Sequence, residues 1–346
     1  MQYRLLLCVQ SKSLFLCLFV LWFYILSRLD ISLSFPYFLK FLAFSLSPVM
    51  AYFSVRILAI SEIFLLLKIS LLVVGVFSLA LVFFHPDIGV SEFARGDGWS
   101  GIYAQKSSLG RMMLLLVLIS CLVRMDFLLG VLGAFVGMYV LMNTNSRASL
   151  YSLPAIFFFL CVVFFYSRNW LVRASLWIVF VSSSVWALVL ANEIIHLDPH
   201  GSSVFIFGHG FDLTGRLEIW TFLIELIRDN ILFGVGFDGL WQYSDRFELI
   251  DLLGWRLTDA HNGYLEVLLQ LGLVGFFLFA VVFSFYASSV WYLYKANDQF
   301  KDIFVAIFIF IVLINIVSSH FLEVFSPVNF FMYMTIFYRY RLVVET

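Results

Sequence analysis

From residue 61 to residue 84 the chain reads SEIFLLLKISLLVVGVFSLALVFF, in which only Glu62 and Lys68 carry charge. A segment that crosses hydrocarbon needs roughly 20 mostly apolar residues, and a helix satisfies all its backbone N–H and C=O groups internally. The same pattern recurs at about 13–29, 34–54, 108–123, 127–142, 150–166, 174–191, 264–292, 303–318 and 324–338, giving ten candidate spans. The composition agrees: 63% of the 346 residues are hydrophobic and 12% charged, against about 25% charged in soluble domains. The expected fold is an all-α polytopic membrane protein with about ten transmembrane helices and one large external loop carrying interfacial helices.

That pattern divides the chain into a membrane bundle over 1–191, a polar loop over 192–263 and further membrane helices over 264–346. The first apolar run follows Arg4 and Lys12 as a signal peptide would, but Ser27-Arg28-Leu29-Asp30 offers no small-x-small cleavage site. It is expected to remain as the first span. The net charge of −1 gives no basic surplus for nucleic acid. Cys8, Cys17, Cys121 and Cys161 all lie inside apolar runs without metal-ligand spacing, so neither a disulfide nor a metal site is expected, and no cofactor motif is present.

Lys and Arg in short loops set orientation. With the N-terminus inside, Arg4, Lys12, Arg56, Arg124, Arg168, Arg173, Lys295, Lys301, Arg339 and Arg341 fall on one side. The 192–263 loop, with eleven Asp or Glu, four Arg and no Lys, falls on the other. Both termini are then internal. The chemically versatile segments, among them GDGWSGIYAQKSSLG, NTNSRAS, TGRLEIW and DAHNGYLE, gather outside.

Three of these segments supply candidate catalytic groups. Arg216 stands in the first turn of a helix predicted at 214–230, where the dipole favours an anion beside it. An ion pair with Glu218 or Asp212 accounts for it equally well. Arg147 sits among Thr144, Asn145 and Ser146 in a short turn, as an anion ligand or as a membrane anchor. His261 follows Asp259 by two residues and precedes Tyr264 by three; an imidazole held by a carboxylate can take a proton from a hydroxyl. Trp220 is expected at headgroup depth. Lys106 either adds charge to an anion site or reaches headgroups. Glu266, deeper than His261, needs a polar partner. GVGFDG (234–239) fits G-x-G-x-x-G, but no strand–helix–strand unit surrounds it; a flexible turn is expected there.

In combination, NTNSRASL, TGRLEIW with ILFGVGFDGLW, and DAHNGYLEVLLQLGLVG resemble the O-antigen ligase and polymerase superfamily of bacterial inner membranes, and the related exopolysaccharide polymerases. GDGWSGIYAQKSSLG resembles that family's upstream loop, except that Gln105-Lys106-Ser107 stands where His-Lys-Asn is common. The resemblance covers roughly residues 95–325, and for that family the chain is short by an expected one or two N-terminal spans. It implies a metal-independent, inverting glycosyltransferase of the inner membrane. The enzyme would move a glycan from undecaprenyl diphosphate to an acceptor hydroxyl, on a glycan or lipid A–core, at the periplasmic face. Arg147 and Arg216 would bind the diphosphate and His261 would be the base, with Lys106, Asp259, Asn262, Tyr264 and Trp220 as further substrate contacts. A ligase, a polymerase and a protein O-oligosaccharyltransferase fit the same motifs. A glycan or lipid flippase without catalysis is the alternative from another class; it calls for charges or broken helices near the midplane.

Overall fold

The structure, a computed structural model, describes residues 16–29, 35–91, 98–123, 125–165, 196–197, 203–206, 209–212, 214–241 and 259–345. Its helices are α1 (Leu16–Ser27), α2 (Phe35–Ile57), α3 (Ile60–Phe84), the single turn α4 (Pro86–Gly89), α5 (Lys106–Leu122), α6 (Phe127–Asn143), α7 (Arg147–Phe165), α8 (Thr214–Asp229), α9 (Gly263–Lys295), α10 (Lys301–Val317) and α11 (Pro327–Glu345). Each candidate span coincides with one of these helices except 174–191, which lies outside the described residues. The segments Phe38–Ile57, Ile60–Phe84 and Gly263–Lys295 are long and apolar enough to cross a membrane; α1, α6 and α7 are apolar but shorter. The outward surface is apolar too, with Phe19, Phe77, Phe135 and Phe277 exposed. Large apolar faces of that kind suit lipid and not water, and the chain is a multi-pass membrane protein.

Two small antiparallel sheets depart from the expected all-α pattern. β1 (Val90–Ser91) pairs with β2 (Gly98–Trp99). β3 (His196–Leu197), β4 (Ser203–Ile206) and β5 (His209–Asp212) form the second. Ser-Val-Phe-Ile and His-Gly-Phe-Asp are separated in sequence by two residues, Phe207-Gly208, the spacing of a hairpin inside the loop.

The core forms around α5, whose Leu114, Leu115, Leu116, Leu118 and Ile119 are fully buried. α6 reaches α5 through small residues: a Cβ added at Gly133 would stand 2.4 Å from Ser120 Oγ, and one at Gly137 3.0 Å from Val117 Cγ2. Close approach of this kind is how helices associate where lipid supplies no hydrophobic drive.

The two ends of the bundle differ. At one end Arg341 Nη1 donates to Val55 O and Leu58 O at 2.8 and 2.9 Å. There Tyr338 also donates to Asp298 Oδ2 at 3.0 Å and Arg339 to Ser288 Oγ at 2.9 Å. This end gathers Lys295, Lys301, Arg339 and Arg341, residues sorted to one side by the sequence. Lys68 is fully buried towards it and donates to Val123 O at 3.0 Å; a buried ammonium is met by the carbonyl end of α5. The start of α5, the start of α9 and the α10–α11 turn meet at the other end.

Helix α9 is broken at Gly272 (φ +63°, ψ −168°). The backbone groups freed there find partners in residues 231–236. Val235 N donates to Leu269 O at 2.8 Å and Gly236 N to Gln270 O at 3.0 Å; Leu273 N and Val274 N donate to Ile231 O and Leu232 O at 2.8 and 3.1 Å. Tyr24 OH donates to Leu271 O at 2.8 Å. In lipid each such group left unmet would cost several kcal/mol. The Gly-x-Gly stretch is therefore the expected turn, but it is fixed against the break in α9 by these hydrogen bonds and is not flexible. Gly234 (φ +69°) and Gly272 pass so closely that a Cβ at Gly272 would lie 2.5 Å from Gly234 N.

Candidate functional site

A cavity of about 360 Å³ opens at the end away from the basic cluster, within the volume range of small-ligand sites. His261, Asp259, Arg111, His320 and Glu323 line it, and Lys40, Asp238 and Glu266 close its wall.

Asp259 and His261 form the first pair. Asp259 Oδ1 accepts the backbone N–H of His261 at 2.8 Å and lies 3.2 Å from His261 Nδ1. The turn holds His261 at φ +50°, a conformation costing a non-glycine residue about 1–3 kcal/mol. Burial works to raise the Asp259 carboxyl, but the hydrogen bonds and charge of His261 prevail and hold it at about 2. The ionised carboxylate takes Nδ1–H, which makes Nε2 the basic nitrogen of His261.

Glu266, one turn into α9, is buried and meets three donors. Trp241 Nε1 and Ala260 N donate at 2.6 Å each, and Gln270 Nε2 donates as well. Gln270 in turn accepts from Asp238 N at 2.8 Å, and Lys40 pairs with Asp238. The partner that the sequence required for Glu266 is thus the wall of the cavity, fixed next to His261 through Ala260.

The second imidazole–carboxylate pair is His320 with Glu323. His320 Nδ1–H donates to Glu323 Oε2 at 2.6 Å, and Arg111 Nη1 lies against the ring, next to both of its nitrogens. Burial lowers the proton affinity of His320, the Arg111 charge adds to this, and the hydrogen bond to Glu323 opposes it. Burial would raise Glu323, but the hydrogen bond and charge of His320, with Arg111, bring it below the usual carboxylate range. Arg111 also reaches Glu323 Oε2 at 3.4 Å and Ser108 Oγ at 3.0 Å.

The two pairs are joined by Asn262 N, which donates to Ser319 Oγ at 3.0 Å, and by Asn315, whose Oδ1 accepts His320 N at 2.9 Å. A Cβ at Gly263 would stand 2.2 Å from that same Oδ1, so His-Asn-Gly at 261–263 leaves room for Asn315.

The sequence-derived candidates distribute as follows. His261 and Asp259 line the cavity together. Asn262 Oδ1 caps α9, accepting from Tyr264 N and Leu265 N at 3.0 and 3.1 Å. Tyr264 packs its ring on Phe321 and sends its hydroxyl to Val312 O at 3.4 Å. Trp220 Nε1 donates to Ala260 O at 3.0 Å, clamping α8 to the residue before His261. Lys106 opens α5 beside β2, where a Cβ at Gly98 would meet its Cδ at 2.8 Å. The side chains of Arg147 and Arg216 lie outside the described residues, but their backbones are placed. Arg216 is one turn before Trp220 on α8. Arg147 follows Ser146, whose Cβ lies 2.7 Å from the position of a Cβ on Gly110, next to Arg111.

Sequence reasoning passed over Arg111 and left His320 and Glu323 without a role. Arg111 carried a signal: a charge in the second turn of a candidate span, which is costly unless it faces a cavity or partner.

Residues 132–280 match a family model described as O-Antigen ligase. Over 114 residues the chain is 30% identical to the exopolysaccharide production protein ExoQ of Rhizobium meliloti (strain 1021), covering 32% of this chain and 26% of that protein. The match therefore spans about a quarter of the length of that curated relative. The family match runs from α6 into α9 and takes in Arg147, Arg216, Asp259 and His261. Both similarities cover only part of the chain: residues 132–280 are similar to the O-antigen ligase family, and a 114-residue stretch is similar to an exopolysaccharide production protein.

Proposed function

We propose that this membrane protein is an inverting, metal-independent glycosyltransferase. It moves a glycan from undecaprenyl diphosphate to an acceptor hydroxyl at the periplasmic face of the inner membrane. The observation that carries this is the Asp259–His261 pair on the cavity, at the end of the bundle opposite the basic residues. Asp259 holds Nδ1–H, and Nε2 of His261 takes the proton of the acceptor hydroxyl. Its oxygen attacks C1 of the donor sugar from the face opposite the leaving group. The C1–O bond to phosphate breaks, and the electron pair leaves on the diphosphate, which stays attached to its lipid. A diphosphate needs charge neutralisation more than a proton, and guanidinium supplies a permanent charge in bidentate geometry. Arg147 and Arg216 have that role; the placement of their backbones beside Gly110 and Trp220 supports it.

One observation favours the flippase reading, namely the break of α9 at Gly272. Discontinuous helices serve transporters by offering unmet backbone groups to a substrate. Here those groups are taken by residues 231–236, which favours catalysis over transport.

The test is His261→Ala and Arg216→Lys in a producing strain, with membrane insertion checked. Both are expected to lose the polymeric glycan; wild-type glycan profiles in both would overturn the assignment. On a gel, single repeats still attached to the acceptor indicate a polymerase, and none attached indicates a ligase.

A further inference from the structure

Arg111 is a cation that the reaction above does not use. It is 9% exposed, yet it lines the cavity that holds His261. Burying a guanidinium is costly unless its charge and its donors are matched. The match here is partial. Nη2 has Ser108 Oγ at 3.0 Å. Nη1 has the His320 ring and, at 3.4 Å, Glu323 Oε2. That oxygen is already engaged by His320 Nδ1 at 2.6 Å, and the Glu323 side chain is 39% exposed against 11% for Arg111. The Nε–H has no acceptor among the described residues.

We infer that Arg111 is a third guanidinium of the donor site, binding a phosphoryl oxygen of the lipid-linked diphosphate through Nε–H and an adjoining Nη–H. This rests on the function proposed above and extends its set of charged residues. A planar guanidinium edge with one donor unmet fits two oxygens of a phosphoryl group. Gly110, the residue before Arg111, packs against Ser146, the residue before Arg147, so Arg111 and the backbone of Arg147 stand at adjoining helix starts. The carboxylates that line the same cavity, Asp238, Asp259 and Glu323, are acceptors only, which suit hydroxyl groups and not phosphate.

The experiment measures equilibrium binding of farnesyl diphosphate to the full chain in lipid nanodiscs. Arg111→Gln is expected to weaken binding about tenfold or more, the equivalent of 1.4 kcal/mol. Arg111→Lys, which keeps the charge and guards against a folding failure, is expected to weaken it about threefold to tenfold. Lys295→Gln, exposed at the opposite end of the bundle, should stay within about twofold, and all variants are compared only where thermal unfolding matches wild type. Glu323→Gln removes a competing negative charge and should bind at least as tightly as wild type. Equal weakening in Glu323→Gln and Arg111→Gln would identify an ion pair that only shapes the cavity, and would overturn the inference. So would Arg111 variants within twofold of wild type while Arg216→Lys is weakened, a result that leaves the proposed function standing. Failure of the wild type itself to bind farnesyl diphosphate would overturn both. Nanodiscs of phosphatidylcholine and of phosphatidylglycerol separate the two sources of phosphate. Equal affinity in both supports the donor. A loss in phosphatidylglycerol that Arg111→Gln relieves would assign Arg111 to bilayer headgroups and overturn the inference.

Discussion

Asp259 holds His261 through one oxygen used twice, taking the backbone N–H at 2.8 Å and facing Nδ1 at 3.2 Å. The first contact fixes the left-handed turn and the second fixes the tautomer. Orientation and tautomer are thus set by one carboxylate, and a substitution can keep its oxygen while removing its charge.

Asp259→Asn keeps an oxygen that can accept the backbone N–H, so the turn should survive. That same oxygen can still accept Nδ1–H, but an amide has no negative charge to hold an imidazolium. Activity is expected to fall by about 10²–10⁴, as when the carboxylate behind a catalytic imidazole is replaced by its amide, with unfolding temperature little changed. Glycan synthesis in membranes from matched expression levels measures the first, and thermal unfolding in detergent the second. Full activity in Asp259→Asn would remove His261 as the base.

Glu266→Ala should be a stability variant as well as an activity variant. It strands Trp241 Nε1, Ala260 N and Gln270 Nε2, all buried at the cavity wall. Each orphaned donor costs about 1–3 kcal/mol, so a loss of about 3 kcal/mol or more is expected. Glu266→Gln faces the same three donors with a single acceptor oxygen and should fall between wild type and Ala. Equal unfolding temperatures for all three would show that the carboxylate does not organise the wall.

Gly272→Ala tests the fixed turn. A Cβ there meets Gly234 N at 2.5 Å, on a residue with φ +63°. Strain and steric overlap act together, and a cost of about 3 kcal/mol is expected, of the size seen when backbone strain and overpacking combine. The same substitution at Gly130, where the nearest atom is Ser120 O at 3.2 Å and φ is not positive, should be milder. Thermal unfolding of the two variants side by side decides it.

The helices were legible because hydrocarbon admits one solution for a long apolar run, and nine such runs lie where helices stand. The pair Asp259–His261 was legible because its members are two residues apart. Arg111, His320 and Glu323 were not: the contact joins α5 to the α10–α11 turn, 209 and 212 residues apart, and spacing carries no information over that range. The fixing of the Gly-x-Gly turn escaped for the same reason, since its partner is a break in a helix that reads as continuous. Asn262 and Tyr264 show the reverse difficulty. Their residue types suit a substrate, but the structure spends the Asn262 side chain on its own helix cap and the Tyr264 ring on Phe321.

Acidification should weaken the fold through the α10–α11 turn. His320 takes a proton less readily in the folded protein than its ordinary value of 6.5, with burial the first cause. As pH falls below 6.5 the unfolded chain gains a proton that the folded chain resists, so stability declines. Glu323 has its carboxyl below its ordinary 4.5 because of His320 and Arg111, against the effect of burial. Its contribution is present above 4.5 and is lost as pH drops through the lowered value. Both shifts have the same sign, so unfolding temperature should fall from pH 7 to pH 5 through His320 and further below 4.5 through Glu323. His320→Gln removes the first step but keeps a polar side chain in the turn, and its curve should be flatter than wild type between pH 7 and pH 5. Parallel curves for the two proteins across that interval would place the titrating group elsewhere.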